Sequence, residues 1–267
     1  MSGLTYAKAV AGLLPRPRGK TLHERELAAP GIEPDRDHVA SYDRVCGFRL
    51  RDELPATYPH VLAFPHALEL MTDRRFPVPV IGLVHVRNRI TQHRPLRIGE
   101  PLDLTVRAEG LEKTERGTQF DLVAEAHAGG ELAWRDVSTY LRRSGKGGAS
   151  KRGGAGDRLP ERARWQVDGR IGRRYAAVSG DRNPIHVSRL GAKAFGLKGP
   201  IAHGMWLKAR CLAALEDRLP EAFSVDVAFK LPLFLGSTVV FGEEGERFAV
   251  HDAKSGKPHL TGEIAPP

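Results

Sequence analysis

Apolar residues recur along this chain at two different spacings, and the first part of the chain shows both. Residues 60–73 carry apolar side chains at helical spacing, although Pro65 is expected to bend or restart the helix. Segments follow in which apolar and polar residues alternate, the pattern of a strand that buries one face. The predicted strands are 81–91, 101–109, 118–128 and 131–142.

The second part of the chain repeats this order of signals. Residues 201–218 predict a helix more strongly, because Ala, Leu and Met recur at helical spacing with no interior proline. Alternating segments follow this helix too, and the predicted strands are 224–230, 237–243, 247–252 and 258–264. A helix followed by four strands, occurring twice, indicates an internal duplication.

Residues 145–158 separate the two parts and are rich in glycine, with no large apolar side chain. Such a segment has too little to bury, so we predict a flexible linker. The amino-terminal domain is then 1–144 and the carboxy-terminal domain 159–267. A long helix beside a run of antiparallel strands is an α+β plan, in which each sheet curls around its helix to cover it.

The bulk composition fits two domains in the cytoplasm. The chain has 267 residues, 41% of them hydrophobic, which is enough for two cores. No apolar run approaches the roughly 20 residues that span a bilayer, and Arg16, Arg18 and Lys20 stand where a signal peptide would be cleaved. Cys46 and Cys211 are far apart and suit neither a disulfide framework nor a metal clamp. We expect a cytoplasmic protein with no membrane partner.

The net charge of +9 at pH 7 widens the range of partners without choosing among them. Such a surface attracts nucleic acid, an acidic carrier protein or the phosphates of a nucleotide-bearing substrate. The basic residues are scattered, with no long basic block, zinc finger or aromatic-glycine RNA motif. A solvated basic face is the simpler interpretation, and we expect no nucleic-acid partner.

Residues 174–206 concentrate polar groups able to do chemistry. Ser179, Asp181, Asn183 and His186 lie in a stretch otherwise built largely of Ala, Val, Ile and Gly. The turn signals at Gly180 and Asn183-Pro184 can bring the Asp181 carboxylate and the His186 imidazole to face one space, where they would share a water as an acid/base pair. Two simpler interpretations stay open: Asp181 or Asn183 caps a short helix that begins at Pro184, and His186 is a packed core histidine.

Gly204 stands where the second long helix begins. The N–H groups at a helix start are unpaired and lie at the positive end of the helix dipole, so a glycine there lets a carbonyl oxygen approach closely. Gly204 can therefore supply an oxyanion-type donor. The alternative is that Gly204 only relieves crowding between helix and sheet.

Taken together, these motifs resemble the (R)-specific enoyl-thioester hydratases, also called MaoC-like dehydratases, which have the hot-dog fold. The matching residues are Tyr175-Ala176, Ser179-Gly180-Asp181, Asn183-Pro184-Ile185-His186, Ala194-Phe195-Gly196 and Ile201-Ala202-His203-Gly204-Met205. The match is dense over about thirty residues. We call these matching residues the signature, and only the second part of the chain carries them. The segments LPATYPHVLAF and GLVHVRNRI of the first part resemble the amino-terminal half of double hot-dog members.

The resemblance implies a double hot-dog fold, one site per chain, and a role for each signature residue. Asp181 and His186 are the catalytic pair, and Asn183 orients the loop and the water. The substrate-binding residues are Gly204, whose amide meets the thioester carbonyl, together with Ser179, His203 and Met205. No metal or cofactor is required.

The implied activity is the reversible hydration of trans-2-enoyl thioesters to (R)-3-hydroxyacyl thioesters, on acyl-CoA or an acyl carrier protein, with a homodimer as a candidate assembly. A hot-dog thioesterase is one alternative, but it leaves His186 at this spacing unexplained. A non-catalytic subunit that binds acyl thioesters or their carrier is the other.

Overall fold

The computed structural model describes residues 19, 21, 22, 24–144 and 158–267. The predicted linker lies outside the described residues except for its last position, so its flexibility and the domain boundaries stay predictions. Within the described chain, no helix is long and apolar enough to cross a membrane.

The first part of the chain contains five strands and two helices among its described residues. In chain order these are β1 (Glu26–Ile32), α1 (Arg36–Cys46), α2 (Tyr58–Thr72), β2 (Leu83–Gln92), β3 (Leu102–Thr114), β4 (Gly117–Ala128) and β5 (Glu131–Arg143).

The second part repeats the strands and adds two short helices around the signature. In chain order these are β6 (Glu161–Gln166), α3 (Ile171–Ser179), α4 (Pro184–Val187), α5 (Arg189–Ala194), α6 (Gly204–Leu215), a 3₁₀ turn (Glu216–Arg218), β7 (Phe223–Phe229), β8 (Thr238–Glu244), β9 (Arg247–Asp252) and β10 (Pro258–Ala265).

The ten strands of the described residues form one antiparallel sheet in the order β1-β3-β4-β5-β2-β7-β10-β9-β8-β6. The first five strands and, in reverse, the last five have the same order shifted by five in number. The molecule is therefore a topological duplication, and the predicted α+β double hot-dog fold is confirmed. Pairing of β2 with β7 joins the two curled sheets edge to edge, which the sequence did not predict.

The predicted helices and strands are present, with ends shifted by a few residues. Pro65 does not interrupt the first long helix as expected, since α2 continues through it. Burial of α2 side chains against the sheet offsets the roughly 3 kcal/mol cost of an interior proline. Each half also begins with a strand and a helix that the sequence analysis did not identify: β1 with α1, and β6 with α3.

A buried polar contact crosses the seam, by which we mean the β2–β7 junction. Lys208 of α6 is fully buried. Its ammonium group donates to the backbone carbonyl of Asn88 on β2 at 3.2 Å, to the side-chain oxygen of Asn88, and to the carbonyl of Val225 on β7 at 3.1 Å. An exposed ion pair between Arg87 and Asp226 spans the same junction. One apolar core with members from both parts lies beneath it.

Candidate active site

The signature segment begins where helix α3 ends. Gly180 has a left-handed backbone with φ of 75° and ends the helix with an N–H bond to the Ala176 carbonyl. The chain then turns into the loop that carries Asp181. Ser179, which is buried, accepts the Asp181 backbone N–H at 3.2 Å through its hydroxyl oxygen. The structure thus brings Ser179 into contact with the backbone that presents the carboxylate.

Asn183 caps the short helix α4, as one of the simpler interpretations predicted. Its side-chain oxygen accepts the Ile185 N–H at 3.3 Å, and Pro184 occupies the first turn. The Asn183 N–H itself donates to Oδ1 of Asp181 at 3.0 Å. The Asn183 side chain therefore fixes the start of α4, while its backbone orients the Asp181 carboxylate.

His186 is the third residue of α4, and its side chain is buried. Its Nδ1 lies 2.8 Å from the carbonyl oxygen of Ile201, which can only accept a hydrogen bond. Nδ1 therefore carries the proton and Nε2 carries the lone pair. Burial lowers the pKa of His186, opposed in part by the charge of Asp181. A neutral imidazole of this tautomer can take a proton at Nε2.

The loop, α4 and the segment before α6 bring Asp181, His186 and His203 together. One carboxylate oxygen and one nitrogen of each imidazole lie within 4.8 Å of one another. Two atoms about 5 Å apart can both hydrogen-bond to one water, because each bond is about 2.8 Å long. Asp181 and His186 therefore face one space, as the turn signals indicated.

His203 packs between the catalytic candidates and the helix behind them. Its ring stacks on His186 with centroids 3.7 Å apart and contacts Tyr175 at 4.9 Å. Its Nε2 donates to the Asp181 backbone carbonyl at 3.0 Å. Burial, followed by the neighbouring His186, lowers the pKa of His203 to about 3, so its ring is neutral near pH 7. His203 therefore contacts both His186 and the backbone of Asp181 and holds them in position.

The same three side chains meet the distance requirement for a metal site. Each imidazole already uses one nitrogen on a backbone carbonyl, which leaves Nε2 of His186 and Nδ1 of His203 as lone pairs. Nε2 of His203 lies 3.7 Å from Oδ2 of Asp181, and its hydrogen already bonds to the Asp181 backbone carbonyl. An ion bound at this nitrogen would displace that hydrogen bond, whereas proton transfer at Nε2 of His186 leaves the observed bonds in place.

Gly204 is the first residue of α6, next to the buried Met205. Its N–H has no carbonyl of a preceding helical turn to bond. A Cβ built on Gly204 would stand 2.9 Å from Cε1 of Phe229 on β7, so the glycine also meets the need for space between helix and sheet. Both interpretations of Gly204 therefore have a structural basis.

Two positions that the sequence analysis did not single out shape this site. Gly172 of α3 lies against α4, where a Cβ would stand 2.1 Å from the His186 carbonyl oxygen. Tyr175, quoted only as part of the signature, is buried between His203 and Tyr42 of α1. Nothing in the local pattern distinguishes Gly172 from other glycines, because its role depends on the packing of two helices.

Comparison with known proteins relates this geometry to characterised relatives. Residues 158–259 match the model of the MaoC like domain. The chain is 37% identical to 3-hydroxyacyl-thioester dehydratase X of Mycobacterium tuberculosis over 98% of both chains. It is also 36% identical to the (R)-specific enoyl-CoA hydratase of Aeromonas caviae, over 24% of this chain and 52% of that protein.

A solved structure agrees with the sequence relatives. The crystal structure of HtdX from Mycobacterium tuberculosis superposes with a TM-score of 0.82 at 34% identity, covering 91% of this chain and 100% of that one. The similarity therefore extends over both halves of the sheet, beyond the region that the domain model matches.

Proposed function

Because this chain belongs to the MaoC-like dehydratase family, we propose that it interconverts trans-2-enoyl and (R)-3-hydroxyacyl thioesters at Asp181 and His186. The chain is a hydro-lyase of fatty-acid metabolism. The observation that carries the residue assignment is the convergence of the Asp181 carboxylate and the His186 imidazole within 4.8 Å.

In the hydration direction, a water bound between Asp181 and His186 attacks C3 of the enoyl thioester. The C3–O bond forms, the C2–C3 double bond opens, and its electrons move toward the thioester oxygen to give an enolate-like transition state. One of the two residues takes a proton from the water, and the other helps deliver a proton to C2. Dehydration follows the same path in reverse, returning water.

The start of α6 is suited to the charge that develops on the thioester oxygen. The Gly204 N–H is the donor we assign to this oxygen, and the bond strengthens as charge grows, which is the condition for catalysis. Met205 follows it and belongs to the same wall of the substrate site. The helix dipole acts in the same direction.

The remaining signature residues hold the pair in place, and for Ser179 and His203 we propose this role instead of the substrate binding that the resemblance implied, because both contact the Asp181 backbone. Asn183 orients Asp181 and caps α4, and Ser179 supports the loop backbone. His203 fixes the planes of the catalytic groups through its stack on His186 and its bond to the Asp181 carbonyl. These roles are positioning roles, and the positions are consistent with proton transfer at a bound water.

The direct test is turnover of crotonyl-CoA and longer trans-2-enoyl-CoA substrates by the purified full chain. Hydration removes the absorbance of the conjugated enoyl group and leaves the thioester intact. A thioesterase would release free thiol, and a binding subunit would do neither. Loss of enoyl absorbance without thiol release supports the proposal. Enoyl absorbance that stays unchanged at every chain length contradicts the proposal.

The substrate carrier and the setting complete the proposal. The thioester is carried by CoA or by an acyl carrier protein, both of which are anionic and suit a chain of net charge +9. We place the enzyme in the cytoplasm, where its two buried, unpaired cysteines stay reduced, and propose a homodimer as its assembly. Comparing CoA and carrier-protein substrates of one chain length would identify the carrier.

A further inference from the structure

Three rings of the first part of the chain form a stack that the proposed mechanism does not use. His60 of α2, His85 of β2 and Tyr140 of β5 lie in nearly parallel planes, and we call them the ring stack. The His60 and His85 centroids are 6.4 Å apart at 12°, and those of His85 and Tyr140 are 4.6 Å apart at 16°. Such order indicates side chains held in fixed positions.

The ring stack reaches the proposed active site through one residue of β7. His85 contacts the ring of Phe229, with centroids 4.9 Å apart. Phe229 in turn packs against Gly204, since a Cβ on Gly204 would stand 2.9 Å from Cε1 of the Phe229 ring. Tyr140 also lies within the electrostatic reach of Asp181: burial raises the pKa of Tyr140, and the Asp181 charge contributes to the rise. The first part thus places polar rings beside the site in the second.

One polar atom of the ring stack lacks a partner. Nε2 of His85 is buried and makes no hydrogen bond within the described part of the chain. An unsatisfied buried polar atom costs about 1–3 kcal/mol, and a ligand oxygen that bonded to Nε2 of His85 would remove this cost. Tyr140 is only partly buried and brings a hydroxyl to the same stack.

Hydrogen bonds among neighbouring side chains hold His60 of the ring stack in place. Nδ1 of His60 donates to Oδ2 of Asp136 at 2.6 Å, and Asp136 is fully buried. The other oxygen of Asp136 accepts from Asn88 at 2.6 Å and from Ser138 at 3.0 Å. This network fixes His60, on which His85 stacks.

The charges around the stack determine which ligand suits it. Burial, followed by the neighbouring His60, lowers the pKa of His85 to about 3, so this ring is neutral near pH 7. Burial tends to raise the pKa of Asp136, but His60, Lys208 and His85 together lower it, so Asp136 is ionised. The carboxylates of Asp136 and Asp181 and the buried Lys208 act on these rings with opposite signs, so the charges around the neutral imidazole and the phenol do not select an ionic ligand. The two rings suit a neutral oxygen that donates or accepts one hydrogen bond.

We propose that His85 and Tyr140 form a hydrogen-bonding subsite of the substrate pocket, which binds a hydroxyl or carbonyl oxygen on the acyl chain beyond C3. The subsite comes from the half that lacks the catalytic signature, and it makes that half a determinant of specificity. The proposal rests on the hydratase activity proposed above, which supplies the position of the thioester at Gly204.

The test compares substrate pairs on the full chain. Each pair is a trans-2-enoyl-CoA and its analogue of equal chain length with one hydroxyl, placed in turn at C5, C6 and C7. We expect kcat/KM to favour the hydroxylated member at one position by about tenfold, the size of one good hydrogen bond. The Tyr140→Phe and His85→Leu variants should lower this ratio toward one.

A matched control separates recognition from general disturbance. His251 on β9 also has a buried Nε2 without a partner among the described residues, and β9 lies three strands from the seam. His251→Leu should leave the substrate ratio unchanged. If His85→Leu fails to fold, Tyr140→Phe, which removes a single oxygen, decides the question.

Each way in which the proposal can fail gives a different experimental result. Wild-type protein that hydrates neither member of any pair contradicts the proposed function itself. Hydration of plain substrates with no hydroxyl preference at any position overturns the subsite alone. A preference that persists in both variants also overturns it, because the oxygen would then be bound elsewhere.

Discussion

At the scale of single residues, the site depends on backbone groups that fix the tautomer of His186 and the orientation of Asp181. The Ile201 carbonyl assigns the proton of His186 to Nδ1, and the Asn183 N–H occupies one oxygen of Asp181. Neither partner contributes a reacting atom. The Ile201 carbonyl excludes the other tautomer of His186, so that Nε2 is the ring atom available for proton transfer. The Asn183 N–H restricts the orientation of the Asp181 carboxylate.

Removing either proposed catalytic side chain, Asp181 or His186, should reduce turnover strongly. We expect Asp181→Asn and His186→Ala each to lower kcat for crotonyl-CoA hydration by about a hundredfold or more, because a positioned acid or base contributes about 10²- to 10⁴-fold. The double variant should be little slower than the slower single variant, since the two residues act on one water. Near-normal turnover in either folded variant contradicts the assignment, with thermal unfolding as the check on folding.

The lowered pKa of His186 predicts the acid limb of the pH profile. Burial disfavours the charged imidazolium, so the neutral ring persists to a pH below the ordinary histidine pKa of about 6.5. The fall of kcat/KM for hydration on acidification should therefore be centred below about pH 6.5. A limb centred above this pH would show that another group titrates, or that the imidazolium is the active form.

The two roles of Gly204 can be separated by a pair of variants. In a Phe229→Leu background that makes room for a side chain, Gly204→Ala keeps the N–H and Gly204→Pro removes it. Proline is tolerated in the first turn of a helix, and the preceding residue His203 already has extended backbone angles. If the N–H stabilises the oxyanion, kcat of the proline variant should be about 10²- to 10³-fold below that of the alanine variant. Equal rates would leave Gly204 with a steric role only.

At the scale of elements, the site depends on how closely α3 approaches α4. A Cβ at Gly172 would stand 2.1 Å from the His186 carbonyl oxygen, which is backbone and cannot rotate away. The two helices must therefore separate if any side chain is added. Since α4 has only four residues, a shift of its backbone moves the His186 ring as well.

We therefore expect Gly172→Ala to reduce activity through geometry. Overpacking of this kind costs about 1–3 kcal/mol of stability, and the displaced His186 should lower kcat by about tenfold or more. The matched control is Gly169→Ala, two residues before α3, where a Cβ meets nothing within 4 Å. Equal kcat and unfolding midpoints for the two variants would contradict a packing role for Gly172.

The two strands missed by sequence analysis have a common physical cause. β1 and β6 are the two edges of the sheet, and edge strands bury little: Ala29 is the one buried residue of β1, and β6 has none. Without a buried face, a strand shows no clear alternation. The inner strands, buried on at least one side, were recognised for the same reason.

At the scale of the whole molecule, the two halves complete each other at the seam. Pairing with β2 covers the hydrogen-bonding edge of β7, and the Asn88 oxygens satisfy Lys208. Without the first half, the second would expose an unpaired strand edge and leave a buried ammonium short of acceptors. Each of these is costly, and an open edge promotes aggregation.

The isolated second half, residues 157–267, should therefore be aggregated or nearly inactive despite carrying the whole signature. Size-exclusion chromatography and enoyl-CoA turnover measure this, and added residues 1–144 should restore activity in part. The control is the full chain cut at a protease site introduced within 145–157, which should stay assembled and active. A monomeric, fully active second half would show that the first half is dispensable for catalysis.

The sequence by itself determined the features that depend on local order along the chain. The alternation of the inner strands predicted the α+β plan. The turn signals around Asp181 and His186 predicted the meeting of carboxylate and imidazole, and the resemblance carried by the same segment implied the double hot-dog fold. The Asn183 cap followed from the same local chemistry.

Only the tertiary structure decided which distant residues touch. Four features of this kind connect separate elements. They are the joining of the two sheets into one, the bond from Lys208 to Asn88, the packing of Gly172 against His186, and the contacts from His85 through Phe229 to Gly204. Such contacts depend on how sheets curl and helices pack, and the residues involved differ in no local pattern from neighbours that make none. The chemistry of the site is therefore local in sequence, whereas its support and the proposed specificity come from residues far apart along the chain.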